Sequence, residues 1–120
     1  MAEELLVTGV HSRTSGVPGR SLNDARGHHF VIDGSSTSGG PAEEITPGEA
    51  FLSGISACGV LLVERRAAET GVCLRVAEAW IESARRASDT ATIVKVDLRF
   101  RLAGPTREEA EALVAHYCRH

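Results

Sequence analysis

The stretch from Thr46 to Thr70 constrains this chain more than any other, because both its ends and one of its faces are marked. Thr46-Pro47-Gly48-Glu49 has the form of a capping box. The Thr46 hydroxyl caps the orphan amides, Pro47 takes the first helical position, and Glu49 reaches back. Gly71 supplies the stop. A helix of that length spans roughly 35 Å at 1.5 Å per residue. Phe51, Ile55, Cys58 and Leu62 recur at i, i+4, i+7 and i+11. That period places the Cys58 thiol on one face with apolar side chains expected to form the core. Gly54, Ser56, Ala57 and Gly59 surround it. A glycine costs a helix interior about 1 kcal/mol relative to alanine. Two of them beside one thiol imply close packing or access for a ligand.

The rest of the chain is strand-like, apart from its end. Glu4 to Val10 reads as a first strand, Ser12 to Gly19 as a loop, and Arg20 to Leu22 as a short strand. Asn23 to Gly27 reads as a turn cluster, and His28 to Asp33 as another strand. Gly34 to Pro41 is a surface loop. Beyond the helix, Val72 to Ser83 is strand-like and Arg85 to Thr90 is a polar connection. Thr92, Val94, Val96, Leu98, Phe100 and Leu102 alternate with Ile93, Lys95, Asp97, Arg99 and Arg101. That alternation predicts a strand with one buried face and one mostly wet face. Gly104-Pro105 ends it, and Thr106 to Glu109 forms a second capping box. The last helix carries Ala110, Leu113, Val114 and Tyr117 on one face, and no helix-ending signal precedes His120. Strands, long helix, strands, helix is not a βαβα order, so an α+β fold is expected, as one domain over residues 1–120.

Charge and cysteine usage narrow the function classes. The 120 residues have a formal net charge of -3, with no basic stripe interleaved with aromatics, which argues against a nucleic-acid partner. The longest unbroken apolar run, Val60 to Val63, is far too short to span a bilayer. The N-terminus lacks the basic region and long apolar segment of a signal peptide, so a cytoplasmic location with reduced thiols is expected. Three cysteines without CxxC spacing fit neither a disulfide framework nor structural zinc. No cofactor or metal is expected. Aromatic residues make up only 4% of the chain, and a chain this short has a large surface for its volume, so sharing a core with a second copy would help it.

Four features together resemble the OsmC/Ohr family of thiol peroxidases. They are the strand His28-His29-Phe30-Val31-Ile32-Asp33, the Gly-rich loop leading to Pro47-x-Glu49-x-Phe51-Leu52, the helix cysteine in Ser56-Ala57-Cys58, and the strand pair leading to Thr106-Arg-Glu-Glu109 and a helix with the late Cys118. The resemblance covers the chain from about Arg20 onward. It implies an antiparallel sheet with a long central Cys-bearing helix and a C-terminal helix, in an intertwined homodimer. It further implies reduction of small organic hydroperoxides by Cys58, with Cys118 or a cysteine past His120 as the resolving thiol. An N-terminal arginine, Arg20 or Arg26, would assist, as would a glutamate after the helix proline, and an external dithiol would act as reductant. The chain departs from the pattern at two places. Gly48 directly follows Pro47, so the acid falls at Glu49, and Cys118 is followed by Arg119 where the family has proline.

Each candidate also has a plainer reading. Cys58 could be an inert core thiol, since free cysteine packs like a small hydrophobe. A reactive thiol needs a nearby cation or dipole, and the nearest arginines along the helix, Arg65 and Arg66, lie about 10 Å or more away along its axis. Cys118 could be a boundary residue of a terminal helix. Glu49 is roughly 13 Å from Cys58 along one helix, which favours capping. Arg20 and Arg26 could be ordinary surface charges. His116 and His120 are spaced i, i+4, though a solvated face explains them, and Cys73 reads as packing. Two functions remain: a thiol peroxidase, or a non-catalytic dimer that binds a small apolar ligand.

Overall fold

A computed structural model describes residues 3–119; the expectations that rest on the first two residues and on His120 lie outside it. The chain divides into two compact units, Met1–Ala50 and Phe51–His120.

The first unit holds a three-stranded antiparallel sheet in the order β1-β2-β3, with β1 at His11–Thr14, β2 at Arg20–Ala25 and β3 at His28–Asp33. β3 has the bounds its pattern predicts. The turn before it is tighter than expected. Arg26 and Gly27 both have positive φ, 51° and 83°. A two-residue turn of that kind matches the twist of a hairpin. It leaves Asn23, Asp24 and Ala25 in the ladder opposite Phe30, His29 and His28. The first strand differs more. Residues 4–10 form no strand, and Leu5, Leu6 and Val7 are almost fully exposed. The strand lies instead at His11–Thr14, in the stretch read as loop. Polar pairs hold it: Ser12 donates to Asn23 Oδ1 at 2.6 Å, and His11 meets Asp24 at 3.2 Å. Hydrophobic alternation cannot detect a strand held that way.

Asp33 is closed to solvent at 0% exposure. Its carboxylate accepts from Arg20 Nε at 2.7 Å and Arg20 Nη2 at 2.8 Å. It also accepts from the backbone N–H groups of Glu43 and Glu44 at 3.1 and 3.0 Å. One side chain thus joins the end of β3, the start of β2 and the loop before the long helix. The Arg20 guanidinium holds the Asp33 carboxyl well below the usual carboxylate range against the opposing effect of burial, and the two backbone N–H groups add to this.

The second unit is built on the long helix α1, Pro47–Thr70, whose first turn belongs to the preceding unit. β4 (Val76–Arg86) and β5 (Asp89–Ala103) form an antiparallel hairpin, and α2 covers Arg107–Arg119. Both capping boxes form. The Thr46 and Thr106 backbone N–H groups donate to Glu49 and Glu109, and both hydroxyls accept the return bonds. At the far end of α1, Val72 N–H donates to the Ala67 carbonyl at 2.9 Å across Gly71, closing the last turn. The hairpin starts four residues later than expected and its strands run further, because a register shift near Arg85 lets pairing continue to the turn.

The core of this unit is Val63, Ala67 and Leu113, packed by Val72, Leu74, Ala77, Phe100, Leu102 and Tyr117. Only the half of β5 from Leu98 onward shows the predicted burial; Val94 and Val96 are exposed. By length and composition α1 would also pass as a membrane-crossing helix, which is weak evidence because core helices pass the same test. Val63 and Ala67 pack with Leu113, while most of the helix is open in the single chain.

The Asp33 site gives a signed pH dependence. Its carboxyl protonates at lower pH when folded than when unfolded, so the pair's stabilisation is complete above about pH 4 and is lost as pH falls below it. Asp33→Asn should therefore melt at lower temperature than the parent at pH 7, and the gap should narrow steadily below about pH 4. Thermal denaturation across pH checks this; a gap independent of pH would contradict it.

Candidate active site

The buried stripe of α1 is Gly59, Val63 and Ala67, spaced i, i+4 and i+8. Cys58 is not on it. The thiol is exposed, and so is Phe51. The period in the sequence is real, but the face it marks is not the core. A stretch this apolar all round carries no internal sign of which face turns inward. Within the single chain Cys58 is therefore not a core residue.

The thiol lines an open groove of about 600 Å³ formed by Phe51, Gly54, Ile55, Cys58, Tyr117 and Cys118. The first four come from one face of α1 and the last two from the end of α2. The two cysteines singled out for redox chemistry therefore share one concavity, and both are free thiols. Tyr117 stands with them. Its hydroxyl donates to the Ile55 carbonyl at 3.4 Å, and its ring meets Phe100 edge-on at 5.6 Å. Burial pushes the Tyr117 phenol above its usual value, and the Cys58 and Cys118 thiols push it further. The sequence pattern places Tyr117 on the apolar face of the last helix and gives it no role in the groove. Its place directly before Cys118 was the one available hint of its second role.

The glycines explain how the helices come so close. A Cβ on Gly59 would meet Phe100 Cζ at 2.9 Å and Tyr117 Cζ at 3.3 Å. Gly54 would meet nothing within 4 Å. Gly59 therefore serves packing, and Gly54 leaves the groove wall open.

Glu49, Arg20 and Arg26 belong to the first unit. Glu49 is exposed and caps α1 as the box predicts. Arg20 is committed to Asp33 and lies 3.6 Å from Glu43. Arg26 is the exposed turn residue between β2 and β3. Among the described residues, no charged side chain lines the groove. Among the described residues no group of three or more His, Cys, Asp or Glu could hold a metal. Cys73 is exposed rather than packed.

No protein-family profile matches the chain, and no curated protein matches it in sequence. Solved structures do match. An OsmC-like protein from Mycoplasma pneumoniae superposes with a TM-score of 0.82 at 12% identity, over 96% of this chain and 82% of that one. The fold is that of the OsmC-like proteins. An organic hydroperoxide resistance protein from Legionella pneumophila gives 0.71 at 21% identity, over 94% of this chain and 82% of that one. One from Elizabethkingia anophelis gives 0.70 at 18%, over 95% and 82%. The expected α+β architecture, with its long cysteine-bearing helix and C-terminal helix, is therefore present. In this OsmC-like fold the late cysteine of α2 faces the same groove as the helix cysteine of α1.

The two glycines should respond oppositely to alanine. Gly54→Ala fills open space and should stabilise the chain by about 0.5–1 kcal/mol. Gly59→Ala must displace two rings, and overpacking of about 1–3 kcal/mol should outweigh the same helix gain. Chemical denaturation of both variants checks the sign of each.

Proposed function

We propose that the chain is a thiol peroxidase that reduces small organic hydroperoxides through Cys58. The observation that supports this best is the shared groove, with two free thiols in one apolar concavity on an OsmC-like fold. The walls contributed by Phe51, Ile55 and Tyr117 suit an alkyl or aryl group better than hydrogen peroxide. The structural neighbours named organic hydroperoxide resistance proteins point the same way.

The reaction balances as follows. The Cys58 thiolate attacks the terminal peroxide oxygen, an S–O bond forms, the O–O bond breaks, and the alkoxide leaves as alcohol after taking a proton. Cys58 is left as a sulfenic acid. The Cys118 thiolate then attacks that sulfur, forming the disulfide and releasing water. An external dithiol reduces the disulfide by exchange, regenerating both thiols. The resemblance offers Arg20 or Arg26 as the assisting arginine, and Arg26 is our candidate because Arg20 is paired with Asp33. We also propose a homodimer in the cytoplasm. The exposed Leu5, Leu6 and Val7 and the exposed Val94, Val96 and Trp80 are apolar surface that a second copy would cover.

One observation favours the non-catalytic reading, in which the same groove binds a small apolar ligand: its lining carries no charge.

Consumption of cumene hydroperoxide with a dithiol separates the two. Cys58→Ser should reduce turnover to the uncatalysed rate. Without the dithiol, Cys118→Ser should consume one equivalent and then stop, with Cys58 held as a sulfenic acid detectable by dimedone labelling. Peptide mass spectrometry after mild peroxide treatment should show Cys58 joined to Cys118. Absence of peroxide consumption by the parent chain would leave only the binding reading.

A further inference from the structure

An alkoxide leaving Cys58 needs a proton, and the groove holds few sources of one. Its lining is Phe51, Gly54, Ile55, Cys58, Tyr117 and Cys118. The first three carry no acidic side chain, and Cys58 is spent as the nucleophile. Tyr117 and Cys118 are left, adjacent in sequence at the end of α2. A phenol and a thiol side by side can pass a proton between them.

Position favours the phenol as the first donor. The Tyr117 hydroxyl meets the Ile55 carbonyl at 3.4 Å. Helix carbonyls point toward the C-terminus, and Ile55 lies about one turn before Cys58. The Cys58 Cβ leans back toward the N-terminus. The phenol oxygen and the thiol therefore lie at about the same level of α1. At 3.4 Å the bond to Ile55 is longer than a full O–H···O bond. The hydrogen can turn to a better acceptor, and an alkoxide is one. Burial, with a smaller push from Cys58 and Cys118, raises the phenol above its usual value and keeps it protonated until that acceptor forms. Phe100, edge-on at 5.6 Å, holds the ring while the hydroxyl turns.

We propose that Tyr117 donates the proton to the departing alkoxide and then recovers one from Cys118. This role rests on the peroxidase reading and supplies the two proton transfers that it requires. The Cys58 thiolate takes the terminal oxygen with its hydrogen, and the O–O bond breaks. The alkoxide takes the phenol proton and leaves as alcohol. The phenolate then accepts the Cys118 proton, since a thiol is ordinarily the stronger acid. That restores Tyr117 and creates the Cys118 thiolate when a sulfenic acid is present to attack. The attack forms the disulfide and expels hydroxide, which solvent protonates to water. One phenol thus couples the first chemical step to the second, in a groove where no charged side chain among the described residues could do so.

Single-turnover rates of the full-length chain without dithiol, with cumene hydroperoxide and with peracetic acid, test this role. Peracetic acid expels a carboxylate, which leaves without a proton. The ratio of the cumene rate to the peracetic rate should fall about tenfold or more in Tyr117→Phe. The Cys58 sulfenic acid should also outlast the parent's under dimedone labelling, because Cys118 has lost its base. Tyr117 is the one tyrosine in the chain, so growth on 3-fluorotyrosine alters this phenol alone. That more acidic phenol should keep the parent ratio or raise it, which decides the matter if Tyr117→Phe misfolds. A ratio unchanged in Tyr117→Phe, as when both oxidants slow equally, marks a merely structural tyrosine and overturns the relay. So does a ratio that fluorotyrosine lowers. A parent chain that consumes neither oxidant removes the peroxidase, and the relay with it.

Discussion

The contact of Gly59 with the rings of Phe100 and Tyr117 is the one on which the second unit depends. With no side chain at that position, β5 and α2 both close on α1, and the Tyr117 ring is wedged edge-on against Phe100. Tyr117 is then fixed at both ends, by ring packing and by its hydroxyl on the Ile55 carbonyl. Its chain neighbour Cys118 is thereby held at the groove that Cys58 lines. A bulkier residue at 59 would move the second thiol as well as the core. Packing and the placement of the two thiols are the same constraint here, seen from two sides of one helix.

The two adjacent stripes of α1 divide the labour. Gly59, Val63 and Ala67 are buried against Leu113 and its neighbours, while Cys58 and its stripe remain open. A one-residue difference in sequence, about 100° around the helix, separates a sealed position from an accessible one. That is why neighbouring small residues matter. They let the buried stripe pack tightly without covering the thiol beside it.

How much of this was legible beforehand varied with the physics that sets each element. Both helices were readable to within a residue or two because their ends are marked by local side-chain bonds, at Thr46 and Glu49 and at Thr106 and Glu109. β3 was readable from its own run of residues. β1 was not, because its stability comes from polar pairs with β2 that have no local signature. Asp33 looked like a strand end, yet it is the most buried charge in its unit. Burial of a carboxylate depends on a guanidinium thirteen residues away, and no periodicity reports that. In the site, the two cysteines were legible as a pair through resemblance to a family. The orientation of Cys58 was not, since an apolar helix with little asymmetry leaves its inward face to be chosen by its partners.

The electrostatics of the first unit turn on one buried pair. Arg20 gives its Nε and Nη2 to a carboxylate that has no solvent to fall back on. Its positive charge is balanced at 2.7 Å, with Glu43 3.6 Å away adding to the compensation. The field of such a compensated pair falls off faster than that of a single charge. Withdrawing Arg20 from Asp33 would strand a buried carboxylate, which is the costly way to break such a pair. Arg26 carries no such obligation. It is exposed, it occupies a rigid two-residue turn, and it has no ion-pair partner among the described residues. The charge balance makes Arg20 the residue that holds the first unit together, while Arg13 and Arg26 have no ion-pair partner among the described residues.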